Sequence, residues 1–238
     1  MYRRTFLNSA AGFAGLATAG MPLLWAERAR AADNVLRIAL DAEVLTLDPI
    51  KTVYGPDIIC QGIMFARLRR ADAKNDQLFP ALAESWDVSD DGMTYTFHLT
   101  DAKFSDGSTI TAEDVAFSYN RMRWQKDSAY AAPFQQFDKA EVSGPKTVIM
   151  HMKEKFTPFL TLVQIWNSGI VPKAAVTSMG DDKYALNPVS SGPFMLKEWR
   201  KGDRVILQKN PHYYRQGMPY LDGIEFLYVP DDNTRVLQ

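Results

Sequence analysis

Bulky and polar residues alternate along residues 86–88 and 94–99, and Ser89-Asp90-Asp91-Gly92 stands between the two runs. This alternation predicts a hairpin: Asp side chains bond nearby backbone N–H groups, and Gly accepts positive φ. A second turn follows at Ser105-Asp106-Gly107-Ser108, and Thr111 then opens a helix over 112–123. Its hydroxyl can cap the first turn, Glu113 and Asp114 sit at the positive end of the dipole, and Val115, Ser118, Tyr119 and Met122 share one face.

The same reading places a strand at 35–40, ended by Thr46-Leu47-Asp48-Pro49, because Pro drives its predecessor out of the helical region. The loop 50–56 leads to a helix beginning near Asp57. A hairpin is predicted from 139–142 and 147–152 around Ser143-Gly144-Pro145-Lys146, and Pro158 starts a short apolar helix. Trp166-Asn167-Ser168-Gly169 ends that helix. A further hairpin joins 194–200 to 204–207 through Lys201-Gly202-Asp203. A strand at 224–229 and a helix start at 230–233 complete the pattern.

Composition narrows the function. The chain has 238 residues, 46% of them hydrophobic, and a formal charge of −1. Without residues 1–31, which carry Arg3, Arg4, Arg28, Arg30 and Glu27, 23 basic and 27 acidic residues leave a net charge of −4. That balance argues against nucleic acid as a partner. Arg67, Arg69 and Arg70 are the densest basic group and read as a solvated helix end. Cys60 is the single cysteine, so no intramolecular disulfide forms, and its apolar neighbours Ile58 and Ile59 predict burial.

Residues 1–31 read as an address. Arg3-Arg4-Thr5-Phe6-Leu7-Asn8 matches a twin-arginine pattern, a weakly apolar Ala/Gly-rich stretch follows, and Ala29-Arg30-Ala31 offers a cut after Ala31. No Cys follows the apolar segment, so no lipid anchor is expected; the alternative is a membrane-anchored N-terminal helix. Enzyme chemistry finds no support. His98, His151 and His212 lie far apart, the Asp pairs 90–91, 181–182 and 231–232 sit in turns or caps, and nucleotide-binding and serine-hydrolase motifs are lacking.

The wording of 80–121 is more specific than its elements. Read as P-x-L-A-E-S-W, D-G-x-T-Y-T-F-x-L, K-F-x-D-G and T-A-E-D-V-x-F-S, it resembles the family 5 extracytoplasmic solute-binding proteins, the peptide receptors of ABC importers. Thr100 departs from the usual Arg or Lys. Asn187-Pro188-Val189-Ser190-Ser191-Gly192-Pro193-Phe194 and Asn210-Pro211-His212-Tyr213-Tyr214 carry the resemblance further. Ser190 and Ser191 there replace the commoner Gly-Thr, and Phe65-Ala66-Arg67-Leu68 replaces Y-E-G-L.

The resemblance implies an α/β fold with an α+β sub-domain, of the two-lobed periplasmic-binding-protein type, with only the first half of the architecture present. Residues 32–58 and 176–238 would belong to the large lobe I, and 59–175 to an inserted small β-rich domain, with the second lobe absent. It implies capture of peptides or similar small solutes in the periplasm by a monomeric receptor without cofactor, delivered to an inner-membrane ABC permease. Nickel complexes, haem, opines and oligosaccharides are other solutes of the family. An exported hydrolase or folding factor is the alternative. Val53, Tyr54 and Gly55 would edge the ligand cleft and offer main-chain groups, with Tyr130, Trp166 and Ser191 as further contacts. From the residues alone, 53–55 could equally be an ordinary β-to-α connection, Tyr130 a half-buried ring under a loop, and Trp166 part of the core.

Overall fold

The computed structural model describes residues 34–71, 78–165 and 167–237. The twin-arginine motif, the cut after Ala31 and Trp166 lie outside these. Strand β1 (Val35–Leu40) is followed by an irregular segment and helix α1 (Gly55–Met64), which carries Pro in its first turn. Strands β2 (Arg69–Ala71) and β3 (Leu78–Pro80) pair antiparallel. The expected hairpin is formed by β4 (Ala83–Val88) and β5 (Thr94–Leu99), with Gly92 at φ +69° in its turn.

Helix α2 (Ala112–Trp124) begins with a reciprocal capping box. Thr111 Oγ1 accepts from Asp114 N at 3.3 Å, and Asp114 Oδ2 accepts from Thr111 N at 2.9 Å. Asp114 Oδ1 also accepts from Lys173 N at 2.9 Å, which fastens the helix start to the start of a distant helix. Strands β6 (Phe137–Gly144) and β7 (Thr147–Met152) add the second hairpin, giving a sheet of order β4-β5-β7-β6.

Short helices α3 (Phe159–Leu162), α4 (Lys173–Met179) and α5 (Asp181–Leu186) follow. Strands β8 (Phe194–Arg200), β9 (Arg204–Lys209) and β10 (Gly223–Tyr228) then pair antiparallel in sequence, and β10 runs parallel to β1, so the second sheet has the order β1-β10-β9-β8. Helix α6 (Asp232–Leu237) ends the described chain.

Each sheet has its own apolar cluster. Phe97, Tyr119, Phe134, Phe137, Val148 and Phe159 centre the first, where α2 covers the sheet; Phe137 and Phe159 stack at 6.1 Å. Leu47, Cys60, Met64, Tyr184, Leu207 and Phe226 centre the second, under α1. Burial raises the Cys60 thiol well above its usual range, which keeps it protonated and inert. The described residues form one compact unit. The expected boundaries at 58/59 and 175/176 fall inside α1 and α4, each continuous through the boundary.

The arginine run differs from its expectation. Helix α1 stops at Met64, and Arg69 opens strand β2 with 3% of its surface exposed and its guanidinium 3.8 Å from the Trp86 ring centre. Stacking on an aromatic face lets the planar, weakly hydrated guanidinium leave water, which a lysine would resist.

Candidate functional site

The segment between β1 and α1 is short of regular structure but rich in internal bonds. Pro49 breaks the backbone, so the chain's polar groups need partners from elsewhere. Asp48, fully buried, accepts from Ile50 N at 3.3 Å and from Arg121 in a two-pronged pair, at 2.8 Å to Nη1 and 2.6 Å to Nη2. Arg121 Nη2 also meets Asp181 at 2.7 Å. Burial pulls the Arg121 guanidinium down, but the bonds and charges of Asp48 and Asp181 more than offset this and hold it above its ordinary value.

Asn167 carries the second support. Its Nδ2 donates to Pro49 O at 2.9 Å, to Thr52 O at 3.3 Å and to Gln61 Oε1 at 3.1 Å. Gln61 in turn donates to Thr46 O and Asp48 O at 3.0 and 3.2 Å. Asp57, in the first turn of α1, accepts from Leu45 N at 2.6 Å; burial raises its carboxyl, and that bond works in the opposite direction.

This scaffold holds the outer surface of the segment without using it. Val53 is 67% exposed, Tyr54 38% and Leu45 61%, and Ile59 is exposed one turn into α1. A Cβ placed on Gly55 would meet no atom within 4 Å, so the main chain there is open. Tyr54 supplies no side-chain cap to α1, whose first turn instead carries the buried Asp57 carboxylate at the positive end of the helix dipole. Beside the segment, Lys51 pairs with Asp127 and lies 3.7 Å from Asp181. Both border a cavity of about 380 Å³ that is also lined by Gly180 and Lys183.

The expected site residues separate on this geometry. Val53, Tyr54 and Gly55 form one exposed edge. The turn preceding Tyr130 is bonded to the same segment, with Ala129 N donating to Ile50 O at 2.8 Å. The Tyr130 ring itself is 6% exposed and packs in the first apolar cluster, and burial lifts its hydroxyl to about 12. The ring thus packs with the core beneath that turn.

Ser191 lies inside as well. It is fully buried, its Oγ donating to Ile170 O at 2.7 Å and accepting from Ala66 N at 2.9 Å. Next to it, Gly192 N donates to Met64 O at 2.8 Å, closing the C-terminal end of α1. A Cβ on Gly192 would fall 2.7 Å from the Met64 carbonyl carbon, which is why glycine stands there.

Sequence reading missed Asp48, Gln61, Arg121 and Asn167. One signal was available: Arg121 continues the face of Asp114 and Ser118 at helical spacing, and a charge on a buried face demands a buried partner. Among the described residues no group of three or more His, Cys, Asp or Glu is arranged to hold a metal ion, and no helix is long and apolar enough to cross a membrane.

Comparison with known proteins agrees with this architecture. The profile of the bacterial extracellular solute-binding proteins, family 5 Middle, matches residues 77–238. The glutathione-binding protein GsiB of Escherichia coli O6:K15:H31 is 33% identical over 229 residues, covering 93% of this chain and 42% of GsiB. The probable D,D-dipeptide-binding periplasmic protein DdpA of Escherichia coli K12 is 35% identical over 189 residues, covering 76% and 36% of the two chains. The periplasmic binding protein AgaA from A. tumefaciens R10, solved with agropinic acid, superposes with a TM-score of 0.80 at 30% identity, over 85% of this chain and 41% of AgaA. The chain thus spans about two fifths of the length of these relatives.

Proposed function

Because the chain belongs to the bacterial extracellular solute-binding proteins of family 5, we propose that it acts as solute-capturing component of an ABC importer, outside the cytoplasmic membrane. The observation that carries the reading is the outward edge Val53-Tyr54-Gly55, immobilised from beneath by Asn167, Gln61 and Asp57. A preorganised edge loses little freedom when a ligand docks, which is where much of the cost of binding lies.

The chemistry of the edge fits a small peptide-like solute. Open main chain at Gly55 pairs with an extended ligand as an added strand does, and Tyr54 and Val53 cover its apolar parts. Lys51, paired with Asp127 and close to Asp181, stands beside the edge. Glutathione, a D,D-dipeptide and agropinic acid, named for the three relatives, share amide or carboxyl groups of this kind. Binding would proceed by closure of two lobes over the solute, with delivery to a membrane permease.

Native mass spectrometry of the protein purified without denaturation tests the reading. A retained solute bearing amide and carboxyl groups, lost on Val53→Asp or Tyr54→Ala substitution, is expected; turnover of an added peptide would refute it. Export by the twin-arginine route rests on Arg3-Arg4, Phe6-Leu7 and Ala29-Arg30-Ala31. Replacing both arginines with lysine is expected to abolish export, and mature protein still leaving the cytoplasm would refute that route.

A further inference from the structure

Helix α1 extends about 15 Å from Gly55 to Met64, at 1.5 Å per residue. A second cavity of about 230 Å³ opens at its far end, lined by Arg67, Arg69, Arg70 and Arg215 together with Tyr213 and Tyr214, and among the described residues no carboxylate lines it. Arg69 is almost wholly buried. One of its N–H groups reaches Leu160 O at 3.3 Å, its plane lies on Trp86, and its Nε is buried without a hydrogen-bond partner. Arg70 lies 4.9 Å from the Phe79 ring centre. Among the described residues, Arg69, Arg70 and Arg215 have no ion pair.

Like charges gathered in a partly dry recess repel one another and gain most from an anion placed between them. The surroundings register that electrostatic load. Burial pulls the Arg67 and Arg69 guanidinium groups below their ordinary value. Burial raises the Tyr214 hydroxyl, and the charges of Arg215 and Arg70 act against that rise. Tyr213 and Tyr214 meet edge to face at 4.9 Å and give the recess a rigid wall.

We propose that this recess is a binding site for a small oxyanion of the phosphate or polycarboxylate type. Guanidinium forks match both anions in two-pronged fashion. The volume is below the roughly 300–1,000 Å³ of pockets for drug-sized ligands, so it suits a compact polyanion and excludes a peptide. The recess lies at the opposite end of α1 from the Val53–Gly55 edge, so it is independent of solute capture.

Calorimetric titration of the 238-residue protein with inorganic pyrophosphate, and separately with citrate, at ionic strength held constant with sodium chloride, tests the proposal. A saturable one-to-one heat with at least one of them is expected. Arg70→Gln and Arg215→Gln are each expected to weaken it at least tenfold, and Arg70→Lys by less than Arg70→Gln. Both side chains are partly exposed, and circular dichroism checks that the variants fold. A response to neither anion, one that never saturates, or one unchanged in both Gln variants would overturn the site. Co-sedimentation with phosphatidylglycerol vesicles but not phosphatidylcholine ones, without a saturable heat, would assign the arginines to a lipid headgroup and overturn the free-anion site.

Discussion

The two ends of helix α1 solve opposite problems. At its N-terminal end, backbone left unpaired by Pro49 is gathered inward by Asp48, Gln61 and Asn167, and apolar side chains such as Val53 face out. At its C-terminal end, the last carbonyls are closed by Gly192 N and the next amide by Ser191, and positive charge collects in a recess. A polar group turned inward stiffens the fold and disappears from the surface. A residue kept available for a ligand must do without such a partner. Ser191 and Tyr130 belong to the first kind, Val53 and Arg70 to the second.

The largest way to break the contrast is at the buried pair under the N-terminal end. Arg121→Ala strands the Asp48 carboxylate without its partner, and a loss of about 3–5 kcal/mol is expected. Chemical denaturation measures it, and a loss no greater than that of a surface substitution would show that the pair carries little. Gly192→Ala attacks the other end. The new methyl meets backbone of Ile63 and Met64 within 2.8 Å, and overpacking of this kind costs about 1–3 kcal/mol.

Asn167→Ala leaves the Pro49 and Thr52 carbonyls and Gln61 Oε1 without this donor, and about 1–3 kcal/mol should be lost. Its sharper readout is local: amide exchange at 50–54 should accelerate far more than exchange in β5, whereas uniform acceleration would mean that Asn167 supports the whole fold. Tyr130 supplies a pH test. Its hydroxyl is held neutral up to about 12 in the folded state against about 10 unfolded, so its ionisation costs no stability below pH 10 and lowers stability progressively as pH rises from 10 to 12. Tyr130→Phe is expected to leave stability at neutral pH nearly unchanged and to shrink the alkaline decline; an unaltered decline would assign it elsewhere. The smallest stability effect is expected for Val53→Asp, within about 0.5 kcal/mol, although solute retention is lost.

Local chemistry made much of the fold legible. The hairpins around Gly92 and at 139–152, the Thr111 cap and the strand at 35–40 depend on near neighbours, and each forms at its expected place. Pairing of β2 with β3 and the short helices α4 and α5 escaped notice. These segments are too brief for a period, and α5 is held by Tyr184 in the second cluster and by Asp181 on Arg121.

For the candidate site, the sequence by itself determined only an irregular link at 50–56 between a strand and a helix, because Pro49 breaks the strand. Only the tertiary structure decided which neighbours serve that link. Asp48 and Arg121 stand 73 positions apart, and Asn167 and Pro49 stand 118 apart. Ser191 and Tyr130 have the chemistry of ligand contacts, and folding turned both inward. A side chain's partner is set by which elements pack together, and no local pattern records that.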